Sequence, residues 1–228
     1  MWMSKNTVRA AEGNQQGVFG QFRIAARAPP RYAPGLHLCP EPMPMILLRH
    51  GQSEFNLHFT ATRRDPGIVD PKLTPLGHEQ AEAAAEALAG EDIRRIIASP
   101  YTRALQTAAP VARKFGIPVT ITPVVRERYA FSCDIGTPIS QLAGDWPDLA
   151  LDHVEEIWWP QAEEGAEGVI ARAAEFRGSM AVRSDWPHTL VVSHWGFILA
   201  LTGSSAQNGT WLRYDPNQSA PERIVWKP

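Results

Sequence analysis

Two short apolar runs, each delivering a histidine and then a glycine, constrain the fold of this chain more than any other feature. The first is Met45-Ile46-Leu47-Leu48, followed by Arg49-His50-Gly51-Gln52-Ser53-Glu54-Phe55-Asn56; the second is Leu190-Val191-Val192-Ser193, followed by His194-Trp195-Gly196-Phe197. A short apolar run bounded by a glycine turn reads as a buried strand. Residues just past the carboxyl end of such a strand lie where open α/β sheets bind ligands. Arg49 and His50 from one strand, and His194 from another, are therefore candidates for one site.

The intervening segments alternate in type. Thr74 is placed to cap a helix whose first residue is Pro75, which continues through residues 81–88 and is terminated by Gly90. Residues 93–98 read as a buried strand. Ser99-Pro100 opens a second helix that ends at Gly116, with Pro110 expected to kink or interrupt it. Residues 119–125 have the β-branched composition of a third strand. A helix over 167–182, a strand over 190–193, a helix over 197–201 and a closing strand over 210–214 follow. Residues 55–72, with mixed charges and Pro66, Gly67 and Pro71, read as a loop. Residues 126–164 are too long for an ordinary connection and read as an insertion over the site. Such alternation predicts an α/β fold, a three-layer α/β/α sandwich around a mainly parallel mixed sheet.

With 228 residues, 44% hydrophobic and 20% charged, residues 45–228 suffice for one domain with a substantial core. Residues 1–44 carry Lys5, Arg9, Arg23, Arg27 and Arg31 and then a run of prolines. They read as a disordered leader, an organelle transit segment, or sequence upstream of a true start at Met43 or Met45. A formal net charge of -2 gives no footprint for nucleic acid or a membrane surface, so any anion must be bound locally. No run reaches the length of a membrane span. Cys39 and Cys133 are the only cysteines, too few for a disulfide scaffold or a cysteine-rich metal cluster. The expectation is a cytoplasmic protein; its oligomeric state is not fixed by these features.

Four stretches occur in an order that resembles the histidine phosphatase superfamily, which includes the cofactor-dependent phosphoglycerate mutases. They are Arg49-His50-Gly51, then Leu73-Thr74-Pro75-Leu76-Gly77-His78-Glu79-Gln80-Ala81, then Ser99-Pro100-Tyr101-Thr102-Arg103-Ala104-Leu105-Gln106-Thr107, and Ser193-His194-Trp195-Gly196. The resemblance implies a phosphoglycerate mutase-like fold and hydrolysis of a small phosphomonoester. His50 would be the nucleophile and Glu127 the proton donor. His194 would complete a pocket with Arg49, His50 and Arg103.

These residue types suit that chemistry. Neutral imidazole can attack phosphorus, and a phosphohistidine splits one difficult displacement into two easier ones. The second ring nitrogen of His50 would need an acceptor, often a backbone carbonyl, and Gly51 permits a close approach of the chain. Arg49 and Arg103 are expected to clamp phosphate oxygens with paired hydrogen bonds. Arg103 would lie in the first helical turn, where a cation opposes the helix dipole unless an anion binds. Ser53 and Asn56 would add neutral hydrogen bonds to phosphate, or else stabilise the turn. Glu127 lies at the start of the insertion; Asp134, Glu155 and Glu156 are alternatives for the acid. In the insertion, Arg128, Tyr129, Phe131, Trp146, Trp158 and Trp159 either shape a substrate pocket or simply fill space.

No Cys-x5-Arg phosphate cradle follows Cys133, and His37, His58, His78, His153 and His188 lack metal-ligand spacing. No metal or cofactor is expected. A secreted acid phosphatase is disfavoured, because Gln52, Ser53, Glu54 and Trp195 stand where that branch has other residues. The nearest rival is a phosphoglycerate mutase, disfavoured because Cys133-Asp134-Ile135-Gly136-Thr137-Pro138 stands where a long basic substrate segment is expected. A rival of another class is a catalytically silent module that binds a phosphorylated ligand.

Overall fold

The computed structural model describes residues 44–226. The expectations for residues 1–43 lie outside them. Five strands form the sheet: β1 (Met45–Arg49), β2 (Arg95–Ala98), β3 (Val119–Ile121), β4 (Thr189–Ser193) and β5 (Trp211–Tyr214). Their order is β3-β2-β4-β1-β5; the first four are parallel and β5 runs antiparallel to β1. Among the described residues, six α-helices are α1 (Glu54–Thr62), α2 (Pro75–Ala87), α3 (Thr102–Phe115), α4 (Ile139–Asp145), α5 (Ala166–Ala181) and α6 (Trp195–Thr202).

Period-two alternation divides the strand residues between two cores. Ile46, Leu48, Ile96, Ala98, Leu190 and Val192 share one core with Ala84, Ala85 and Leu88 around α2 and Ala104, Leu105 and Ala108 of α3. Met45, Leu47, Ile97 and Val191 share the other with Val169 and Phe176 of α5 and Phe197, Ile198 and Leu201 of α6. The expected three-layer sandwich is therefore observed. Burial on both faces explains why β1 and β4 are apolar runs rather than alternating strands.

Several local expectations change. Within the segment read as a loop, α1 forms because Ser53 and Asn56 make a capping box. The Ser53 hydroxyl accepts the Asn56 N–H at 3.3 Å, and Asn56 Oδ1 accepts the Ser53 N–H at 3.1 Å. Helix α3 starts at Thr102, and Ser99 does not cap it. Asp70 does so from a distant loop, accepting the Thr102 N–H at 2.9 Å and its hydroxyl at 2.7 Å. Pro110 is accommodated inside an unbroken helix, which ends where Gly116 turns left-handed at φ 65°. Strand β3 stops at Ile121, and Pro123–Val125 forms a 3₁₀ turn. Residues 126–164 also contribute to the core, where Leu142, Leu151, Val154 and Trp158 are buried on the α2–α3 side. A connection of this length needs apolar anchors of its own. Among the described residues, no helix is long and apolar enough to cross a membrane.

Candidate active site

Parallel pairing places Arg49 opposite Ser193, so His50 and His194 leave the sheet side by side. The His50 N–H donates to the Ser193 carbonyl at 3.0 Å, the ring centroids are 5.0 Å apart, and both side chains are buried. His50 Nδ1 lies 2.7 Å from the Gly51 carbonyl oxygen. A carbonyl can only accept, so Nδ1 carries the proton and Nε2 presents its lone pair. Burial, followed by the charges of Arg103 and Arg49, holds the imidazole pKa well below 6.5. The ring is thus neutral and aimed.

The stretch at 73–81 frames this loop. The Gln52 N–H donates to Gln80 Oε1 at 2.7 Å, the Gln52 carbonyl accepts the Thr74 N–H at 2.9 Å, and the Gly51 N–H donates to Thr107 Oγ1 at 3.1 Å. Two glycines meet here. A Cβ on Gly51 would lie 2.4 Å from the Gly77 carbonyl oxygen, and one on Gly77 would lie 2.0 Å from that of Gln52. Asn208 closes the other side, its Nδ2 donating to the His50 carbonyl at 3.1 Å and to Asn56 Oδ1 at 3.1 Å.

Two arginines supply positive charge. Arg49 donates through Nη1 to the Ala206 carbonyl at 2.8 Å, while its Nε is buried without a partner among the described residues. Desolvation lowers its pKa to about 10, so it stays cationic at neutral pH. Arg103 is buried in the first turn of α3, donating to the Cys133 carbonyl at 2.7 Å and to Asp134 Oδ1 at 3.3 Å. Its guanidinium lies 4.2 Å from the centre of the Tyr101 ring. Tyr101 also meets His194 edge-on at 5.1 Å. Both ring nitrogens of His194 are buried with no hydrogen-bond partner among the described residues. Burial and then Arg103 keep this imidazole uncharged, its pKa well below 6.5.

Glu127 enters from the turn after β3. Its Oε1 accepts the Gly196 N–H at 2.8 Å, at the start of α6, and its own neighbour's Arg128 N–H at 2.8 Å. Asp134 is buried, with Oδ2 accepting the N–H groups of Ala130 and Phe131 at 3.0 and 3.1 Å. Burial pushes its pKa up to about 6, against the pull of Arg103 and with Glu127 adding to the rise. The structure thus pairs Asp134 with Arg103. Glu156 instead caps α4 through Ser140, at 2.7 and 3.0 Å, and Glu155 is exposed. Ser53 and Asn56 are engaged in the α1 capping box, the turn-stabilising alternative. Trp158 packs edge-on against Tyr101 at 4.6 Å and donates to the Thr137 carbonyl at 2.9 Å. It fills space in the insertion. Burial pushes the Cys133 thiol pKa far up, which keeps it protonated.

Asp70, Gln80, Arg172 and Asn208 were not singled out from the sequence. Each acts through a backbone group or a partner far along the chain. Among the described residues, no three His, Cys, Asp or Glu side chains are grouped to hold a metal ion.

The family model of the histidine phosphatase superfamily (branch 1) matches residues 45–217. Glucosyl-3-phosphoglycerate phosphatase of Mycolicibacterium vanbaalenii is 33% identical over 175 residues, covering 70% of this chain and 72% of the relative. A probable phosphoglycerate mutase of Photorhabdus laumondii is 36% identical over 139 residues, covering 61% of this chain and 58% of that protein. The solved structure of a mycobacterial glucosyl-3-phosphoglycerate phosphatase with vanadate superimposes with a TM-score of 0.53 at 25% identity, covering 74% of this chain and 89% of that one. With strand-end histidines, buried arginines and a matching family model in one arrangement, the chain belongs to the histidine phosphatase superfamily, branch 1, as an enzyme that hydrolyses phosphomonoesters.

Proposed function

We propose that the chain transfers the phosphoryl group of a small phosphorylated metabolite to Nε2 of His50 and then to water. The observation that carries this reading is the set of buried, unpartnered polar atoms beside His50: both nitrogens of His194 and Nε of Arg49. Buried polar groups are costly without partners, and a phosphoryl group would supply acceptor oxygens to the donors among them, the Arg49 Nε–H and the one N–H of neutral His194. Arg49 and Arg103 would neutralise charge on the transferring group, the task a metal cation performs elsewhere. His194, neutral, would donate one N–H to a phosphoryl oxygen.

Departure of an alkoxide needs a proton. Glu127, held at the N-terminus of α6, is the donor in this reading, and its carboxylate would then activate the water that attacks phosphohistidine. The P–O ester bond would break as the N–P bond forms; water would then cleave N–P and release phosphate. The chain's likeness to glucosyl-3-phosphoglycerate phosphatase makes that ester the first substrate to try.

Phosphate release from an aryl phosphomonoester, measured with excess chelator, should occur in the wild type and be abolished in His50→Ala. Equal turnover in the two proteins would sink the mechanism. With 3-phosphoglycerate, appearance of an isomeric phosphoglycerate instead of free phosphate would mark a mutase. Binding of phosphate esters with no turnover of any would mark a silent module.

A further inference from the structure

The guanidinium of Arg172, on α5, has five N–H donors, and all five are used. Nε and Nη2 hold the two carboxylate oxygens of Glu164 at 2.9 and 2.6 Å. Nη1 donates to the carbonyls of Val124 and Arg126 at 2.8 and 3.0 Å, and Nη2 to the carbonyl of Glu127 at 3.3 Å. Ser193 takes the carbonyl between them, its hydroxyl donating to Val125 at 2.7 Å. The segment 124–127 lies beyond the end of β3, so side chains replace the sheet ladder there.

Glu164 extends the clamp. It accepts Arg126 Nη2 at 3.2 Å, its N–H donates to the Tyr129 carbonyl at 2.9 Å, and its carbonyl accepts Arg128 Nε at 2.9 Å. Arg172 also lies 5.5 Å from the Phe197 ring centre on α6, the helix whose Gly196 N–H holds the Glu127 carboxylate. Backbone and side chain of Glu127 are thus fixed from two helices at once. Both members of the Arg172–Glu164 pair are largely buried, where a bidentate fork has one geometry and a strong one.

We infer that Arg172 is a positioning residue for proton donation: locked to Glu164, it holds the carbonyls at 124, 126 and 127 so that the Glu127 carboxyl faces the departing oxygen. This rests on the reading of Glu127 as the acid. A displacement of the order of 1 Å at a reacting group costs up to about a hundredfold in rate. Lysine keeps the charge of Arg172 but cannot reproduce the fork, so it loosens the clamp without leaving Glu164 unpaired in charge.

The test compares kcat/KM for an alkyl phosphate, whose leaving oxygen needs a proton, with that for a nitrophenyl phosphate, whose leaving phenolate does not. Each ratio is internal to one protein, so loss of folded enzyme cancels. Arg172→Lys should lower the alkyl value by about ten- to a hundredfold and leave the aryl value little changed. Glu127→Gln should show the same pattern, and adding Arg172→Lys to it should not lower the alkyl-to-aryl ratio further. Equal loss on both substrates in Arg172→Lys, with Glu127→Gln still selective, would overturn the inference alone. An unselective Glu127→Gln would remove the acid, and the inference with it.

Discussion

Gly196 and Glu127 touch with no room for a side chain between them. The N–H of Gly196 reaches Glu127 Oε1 at 2.8 Å, and a Cβ at position 196 would stand 2.4 Å from the same oxygen. The glycine after the second histidine therefore serves the carboxylate, beyond simply letting the chain turn.

Gly196→Ala should push the Glu127 carboxylate off the start of α6. The kcat/KM for alkyl phosphates is expected to fall by about ten- to a hundredfold while that for aryl phosphates stays nearly as before. Steady-state kinetics on one ester of each kind checks this; a uniform loss would show that the carboxylate's seat is not what the methyl group disturbs.

Gly77→Ala strikes the frame of the nucleophile. Its Cβ would lie 2.0 Å from the Gln52 carbonyl oxygen, a backbone atom that cannot swing away. Separation of α2 from the His50 loop should cost about 1–3 kcal/mol, as overpacking does elsewhere. Thermal melting should show a drop of several degrees, with activity reduced on alkyl and aryl esters alike because His50 itself is displaced.

Asp134 should make anion binding depend on pH. Its folded pKa is raised from 3.8 to about 6, so it is a carboxylate paired with Arg103 at neutral pH and neutral below about 6. Protonation frees Arg103 for an anion. Both imidazoles have pKa values held well below 6.5 by burial and by Arg103. Sulfate, a dianion across the range, should compete with substrate more tightly at about pH 5 than at about pH 7, and Asp134→Asn should flatten that dependence. Parallel pH profiles in the two proteins would rule out this role for Asp134.

The two histidines should make the fold itself acid-sensitive. Each has a folded pKa depressed below 6.5, so above 6.5 both are neutral in the folded and unfolded chains. Below 6.5 the unfolded chain takes up protons that the folded one does not, and stability falls with pH by up to about 1.4 kcal/mol per unit for each proton. Asp134 has the opposite sign: its raised pKa adds stability as pH falls from about 6 toward 3.8 and removes it on the way back up. Asp134 contributes equally in wild type and His194→Asn, so the difference between their denaturant titrations from about pH 7.5 to 6 isolates the His194 contribution. His194→Asn should show a shallower slope there than the wild type.

Sequence alone determined the layers and the carboxyl ends of β1 and β4. The runs at 45–48 and 190–193 are apolar because parallel strands between two helical layers are buried on both faces, and this periodicity is local. Arg49, His50 and His194 follow those runs directly, so their meeting could be anticipated once both strands were assigned to one sheet. Glycines at 51, 77 and 196 were visible as motif letters. Close approach of the chain was anticipated at Gly51; that of Gly77 to the Gln52 carbonyl and of Gly196 to the Glu127 carboxylate was not.

Tertiary structure decided the rest, because the decisive bonds join residues far apart along the chain. Asp70 caps α3 across 32 positions, displacing the nearby Ser99 signal. Arg103 meets Asp134 across 31 positions, so the carboxylate weighed as an alternative acid instead faces an arginine. Arg172 reaches back 45 positions to the carbonyl of Glu127. Backbone carbonyls carry no sequence signature, and a side chain that binds one can be recognised only when the fold brings the two together.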